Sequence, residues 1–163
     1  MTPSGASGGP PGGAAFTLRL AEAKDLAALV ALQEAAYRPN QAILGVTPLP
    51  LQADYRAILE SCDVWLAERG QDLLGALILE RNQDHLMIFS VAVAPAAQGH
   101  GIGHGLLALA EEKAGEAGLK ILRLYTGEKL QKNVEWYRRN GYVVERVEAL
   151  SDRRVVHMIK QLR

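Results

Sequence analysis

Apolar positions change period several times along this chain, and each change marks an element. Phe16 to Leu20 alternates Phe, Leu and Leu with Thr and Arg, the mark of a short half-buried strand. Asp25 reads as a helix N-cap or first-turn residue, after which Leu26, Leu29, Val30 and Leu32-Gln33 recur at helical spacing through Ala36. Arg38-Pro39-Asn40 ends that helix, and the three-proline stretch to Pro50 reads as a loop over the core or the wall of a pocket. Gln52 to Glu60 predicts a second, short helix with Tyr55, Ile58 and Leu59 on one side.

The period then shortens. Val64 to Glu68, Leu73 to Leu79 and Leu86 to Val93 are apolar runs separated by Gly70-Gln71-Asp72 and Arg81-Asn82-Gln83-Asp84, which predicts an antiparallel meander. Leu106, Leu107, Ala110, Ala114 and Ala117 form a helical stripe closed by Gly118 at the C′ position. A strand follows over Ile121 to Tyr125. A further helix carries Leu130, Val134 and Tyr137 on one face and stops at Gly141. Tyr142 to Glu148 and Arg154 to Ile159 read as a closing hairpin around Ser151-Asp152. The order β-α-α-β-β-β-α-β-α-β-β describes a mixed α/β (α+β) layer domain, with a parallel crossover at the central strand–helix–strand unit.

Composition narrows the class. The 163 residues suit one domain, at 48% hydrophobic and 22% charged. Eighteen basic residues balance eighteen acidic ones, so no global field attracts nucleic acid or an anionic membrane. No apolar run approaches the ~20 residues a membrane span requires. Met1 to Ala15, with five glycines, three prolines and no charge, reads as a flexible tail ahead of a domain over residues 16–163. Cys62 stands alone, which suits a reducing compartment, and the N-terminus lacks a signal-peptide pattern, so the expected location is the cytoplasm.

The chemistry concentrates after Val91-Ala92-Val93-Ala94-Pro95. Gly99, Gly101 and Gly103 alternate immediately before a helical pattern. Glycines admit close backbone approach, and a helix mouth offers free N–H groups and the positive end of the dipole. The segment therefore reads as a strand, a phosphate-binding turn and a helix. A Rossmann dinucleotide turn is a poor fit, because neither glycine register supplies the third glycine and no acidic ribose partner follows.

On these residues the chain resembles the GCN5-related N-acetyltransferase (GNAT) superfamily, in its bacterial type. Gln98, Gly101 and Gly103 fill the family's Gln/Arg-x-x-Gly-x-Gly/Ala signature. Leu122-Arg123-Leu124-Tyr125-Thr126, then Asn133 to Tyr137 and Gly141-Tyr142, is similar to its second motif. The resemblance implies a mixed, mostly antiparallel sheet of about seven strands flanked by about four helices. It also implies acetyl-CoA as co-substrate, and direct transfer of its acetyl group to an amine acceptor, a small molecule or a peptide. In that reading Val91, Ala92 and Val93 pair with the pantetheine arm, and Gln98 belongs to the turn. The amides of Gly99, His100, Gly101, Ile102, Gly103 and His104 cradle the pyrophosphate. Asn133 contacts the cofactor, and Tyr137 is the general acid at the cofactor sulfur.

Two departures matter. Phe89 stands where many relatives carry a basic glutamate, leaving Glu80, His85 and Glu128 as default base candidates and none preferred. A non-catalytic acyl-CoA-binding or sensor domain is the alternative this keeps open. His100 and His104 replace the usual Arg or Lys, and their four-residue spacing is also a metal-ligand spacing. Three surrounding glycines and no nearby third ligand argue against that, so no metal is expected. The acceptor pocket is expected between the Tyr37–Tyr55 region and the hairpin tip from Ala149 to Arg154. The expected assembly is a monomer or homodimer.

Overall fold

The computed structural model describes residues 15–163; of the segment read as a tail, all but Ala15 lies outside them. Seven strands form one sheet: β1 (Thr17–Leu20), β2 (Asp63–Arg69), β3 (Asp72–Arg81), β4 (Leu86–Val93), β5 (Ile121–Gly127), β6 (Val143–Ala149) and β7 (Arg154–Gln161). Their order is β1-β2-β3-β4-β5-β7-β6, and every pairing is antiparallel except β4 with β5. The predicted meander and parallel crossover are both present. Five α-helices accompany the sheet: α1 (Leu26–Tyr37), α2 (Asn40–Leu44), α3 (Tyr55–Ser61), α4 (Ile102–Glu116) and α5 (Gln131–Arg139).

The helix beyond the expected four is α2, inside the proline-rich stretch. Pro39 opens it with φ −60°, and Gly45 ends it in the left-handed region at φ 76°. Leu44 then seats against β5, where a Cβ on Gly127 would lie 2.6 Å from its Cδ2. Asp25 does occupy the N-cap position of α1, but its carboxylate turns back to the Glu22 amide (2.7 Å) and to Arg19. Asp54 caps α3, accepting from the amides of Arg56 and Ala57. At the end of α4, Gly118 has φ 73° and the Leu119 amide reaches back to the Ala114 carbonyl, the predicted C′ glycine.

Each face of the sheet carries its own core. Leu77, Leu79, Leu86, Ile88, Leu122, Leu124 and Met158 pack against α4 and Val134 of α5. Val64, Leu66, Ala76, Ile78 and Ala92 pack against Leu29 and Leu32 of α1 and Tyr55 of α3. Strand β4 changes sides between the two. Ser90 pairs with Ile78 and Ile88 with Leu79, so Phe89 is an extra residue. This β-bulge puts Phe89 and Ser90 on the α1 face together, with Ala92, while Val91 and Val93 return to the α4 face. A bulge bends and twists its strand, and here it lies at the point where β4 leaves β5.

Candidate functional site

The parallel pairing of β4 and β5 is limited to Leu86 with Leu122 and Met87 with Arg123. Beyond it the two strands separate, and a cavity of about 690 Å³ opens between them. The Ala94 amide bonds the Leu74 carbonyl on β3. By the strand's twofold alternation, Ala92 therefore also faces β3, while Val91 and Val93 turn their polar backbone groups into the gap. Side-chain partners agree: the Val91 carbonyl accepts from the Tyr37 hydroxyl at 3.3 Å, and the Val93 carbonyl from Gln98 Nε2 at 3.2 Å. Of the three strand residues expected at a ligand, Val91 and Val93 turn main-chain groups into the gap. Ala92 is paired with Ala76.

The turn after β4 is built for close approach. Gly99 and Gly101 both have φ 83°, a region a side chain strains to enter, and α4 starts at Ile102 directly after. None of the six amides from Gly99 to His104 has an acceptor among the described residues. They form a run of donors at the positive end of a fifteen-residue helix, which fits a multiply charged phosphate group. Gly103 has a different reason to be glycine. A Cβ there would lie 3.0 Å from the Trp136 indole, so α4 and α5 meet at this point. Ile102 contributes only its amide, since its side chain is 3% exposed in the core.

The two histidines separate. His104 lines the cavity, with its ring 5.8 Å from that of Trp136. His100 is exposed and does not line it. No group of three or more metal-ligating side chains occurs among the described residues.

Helix α5 supplies the opposite wall through Asn133, Trp136 and Tyr137. The Asn133 side chain caps nothing and has no hydrogen-bond partner among the described residues. Tyr137 is packed and also reaches the cavity: its ring sits against Trp136 (5.0 Å) and Tyr142 (5.8 Å), and it lines the cavity wall. Burial pushes the Tyr137 phenol far above its ordinary value, with nearby Tyr37 adding to the shift. It stays protonated across the physiological range.

The far end of the cavity joins the two segments expected to meet there. Tyr37, Asn40, Leu44, Pro48 and Leu49 face Arg153 and Val155 of the hairpin. The default base candidates lie elsewhere: Glu128 pairs with Arg154, His85 with Asp84, and Glu80 is exposed. No carboxylate lines the cavity among the described residues.

Sequence reasoning did not identify the network behind Phe89. Gln33 Nε2 donates to the Tyr55 hydroxyl (2.7 Å) and to Ser90 Oγ (3.1 Å). Tyr55 must donate to the Pro50 carbonyl (2.6 Å), which fixes the Gln33 amide with its nitrogen toward Tyr55. Ser90 Oγ and the Tyr37 hydroxyl are 2.8 Å apart, and Tyr37 continues to the Val91 carbonyl. Burial outweighs these bonds and pushes the Tyr37 phenol up to about 12. A glutamine inside the apolar stripe of α1 was the available signal.

A model of the acetyltransferase (GNAT) family matches residues 27–142. No curated protein matches the chain in sequence. Among solved structures, the PaiA N-acetyltransferase of Thermoplasma acidophilum in complex with coenzyme A superposes with a TM-score of 0.76 at 17% identity, over 90% of this chain and 98% of that one. A GCN5-related N-acetyltransferase from Rhodopseudomonas palustris gives 0.77 at 20% identity, over 92% and 98%. A GNAT acetyltransferase from Elizabethkingia anophelis with acetyl-CoA bound gives 0.68 at 18%, over 90% and 98%. Cavity, glycine turn and sheet order thus accompany a sequence match over most of the domain, and the chain belongs to the acetyltransferase (GNAT) family.

Proposed function

We propose that this chain is an N-acetyltransferase that takes its acetyl group from acetyl-CoA and delivers it to an amine. One observation carries the reading: six consecutive amides, 99 to 104, have no acceptor among the described residues, and all of these residues but His100 line the same cavity as the free edge of β4. Those amides would hold the pyrophosphate, and the Val91 and Val93 backbone groups the pantetheine arm. Gln98 tethers the turn to Val93, and Asn133, which lines the cavity from α5, would contact the cofactor.

Bound acetyl-CoA supplies an acetyl group activated as a thioester. The strand amides facing the gap are fixed donors, suited to stabilise negative charge developing on an acyl oxygen. Tyr137, kept protonated by burial, is a hydrogen-bond donor for a departing sulfur at any working pH. Among the described residues no carboxylate lines the cavity to take a proton from an ammonium, so the acceptor reacts as the neutral amine, its proton leaving to water.

Calorimetric titration with acetyl-CoA and a thiol-release assay over a panel of amines test this directly. Gly101→Val should lose at least about a hundredfold in acetyl-CoA affinity with the fold retained, because a β-branched residue strains at φ 83° and crowds the cradle. Wild-type affinity in that variant would remove the cradle assignment. Tight acetyl-CoA binding without thiol release to any amine would instead identify a non-catalytic acyl-CoA-binding domain.

A further inference from the structure

We infer that the acceptor is an amine that also carries a carboxylate, on an apolar body, and that Arg153 reads the carboxylate. The inference rests on the N-acetyltransferase reading and adds the acceptor class to it.

Among the described residues, Arg153 is the one Asp, Glu, Lys or Arg side chain that lines the cavity. Its side chain is 6% exposed, so the charge is taken out of water at the cavity wall. Three of its five N–H groups are engaged: Nε with Asp152 Oδ1 (2.9 Å), Nη2 with Asp152 Oδ2 (3.1 Å) and Nη1 with the Thr47 carbonyl (2.6 Å). One N–H remains on each Nη nitrogen, two charged donors left for the oxygens of a carboxylate. Asp152 is 52% exposed and does not line the cavity, so it orients the guanidinium from outside.

The surroundings sort the candidates. An ammonium or polyamine entering this end meets a guanidinium and, among the described residues, no carboxylate on the cavity wall. An anion meets a preoriented guanidinium that is 6% exposed, and charge-assisted hydrogen bonds are the strong ones. Leu44, Pro48, Leu49 and Phe89 supply an apolar wall for the body of the acceptor. In the transfer itself the amine nitrogen forms the new bond to the acetyl carbon, and the thioester C–S bond breaks with its electron pair on sulfur. The proton lost from nitrogen passes to water, and the sulfur is protonated in turn.

The test compares L-phenylalanine, its amide and phenethylamine, with rates referred to the concentration of neutral amine, and measures calorimetric binding of each to the protein saturated with CoA. The expected result is a preference of about tenfold or more for the carboxylate in both measurements, since a site built around a polar group rejects analogues lacking it. Arg153→Gln should collapse the acid-to-amide ratio, and Arg153→Lys should keep part of it. Arg153 also pins Thr47, but a merely structural loss lowers both substrates alike and leaves the ratio intact; that outcome overturns the inference. Turnover of the amines without preference for the carboxylate overturns it while leaving the transferase reading standing. Thiol release with none of the three but with another amine of the panel overturns the inference and leaves the transferase reading standing; silence with every amine, despite tight acetyl-CoA binding, overturns both.

Discussion

Ser90→Ala should destabilise this protein more than Gln33→Leu, although glutamine is the larger side chain and as deeply buried. Ser90 and Gln33 are 2% and 1% exposed, and no solvent repairs what either loses. Removing the serine hydroxyl orphans one N–H of the Gln33 amide. Rotation of the amide does not help, because it would set Oε1 against the Tyr55 oxygen, whose hydrogen is committed to Pro50. Gln33 Oε1 already lacks a partner among the described residues, so the variant carries two unsatisfied atoms on one amide. An orphaned buried donor costs about 1–3 kcal/mol, or roughly 3–10 °C in Tm for a domain of this size. Leucine at position 33 removes both groups with similar volume. It leaves the Tyr55–Pro50 and Ser90–Tyr37 bonds intact, so its effect should stay within about 1 kcal/mol of zero. Urea unfolding at constant m-value measures both, and the double variant closes the cycle. With leucine at 33 there is no amide to orphan, so Ser90→Ala should then have little effect. A larger loss in Gln33→Leu than in Ser90→Ala, or equal losses from Ser90→Ala in both backgrounds, would refute this account of the network.

Three further predictions follow from the geometry. Tyr137→Phe should lower kcat by one to three orders, about 1.4 kcal/mol per tenfold, with acetyl-CoA affinity little changed; steady-state kinetics beside calorimetry separates the two. Because no carboxylate lines the cavity among the described residues, the pH at which kcat/KM levels off should follow the acceptor amine, moving upward when a more basic acceptor is used; a midpoint independent of the acceptor would reveal a base within the protein. The hydrogen bonds from the Arg19 guanidinium hold the Asp25 carboxyl down at about 2 from an ordinary 3.8. A depressed folded-state value contributes stability above the unfolded value that is lost as pH falls through the folded one. Wild type should therefore lose on the order of 2 kcal/mol from this group between about pH 5 and pH 2. Asp25→Asn should lack that component, as urea midpoints against pH will show.

The strand and helix order was legible because most elements have one buried side, and period is enough to find them. What escaped was local exception. The apolar run Leu86 to Val93 reads as one uninterrupted strand, and nothing in it announces that Phe89 is unpaired. The bulge is settled by the β3 partner and by what α1 offers the inserted residues, which are contacts far away in sequence. Helix α2 was hidden by its prolines and glycine, residues that here open and close one turn rather than prevent it. Gly103 was legible as part of a signature but for an incomplete reason, since the signature does not say that an indole thirty-odd residues later packs on its Cα.

The same distinction divides the site. Its phosphate-facing half is made of main-chain groups from contiguous residues, so the sequence need only supply glycines where a Cβ would strain the turn and a helix to follow. That is a local code, and it reads directly. The acceptor half is made of side chains delivered by α1, α2, the bulge of β4 and the β6–β7 hairpin, and its central contact, Arg153 to Thr47, joins residues 106 positions apart. Arg153 in the sequence is one of several charges beside a turn, with nothing to separate it from Arg154, which projects to Glu128 at the surface. Only the fold shows that one of these two neighbouring arginines is withdrawn from water and aimed into a cavity without a single carboxylate among the described residues. If Arg153 reads the acceptor as proposed, specificity rests on a long-range arrangement that can change by a residue or two without disturbing the local code of the glycine turn.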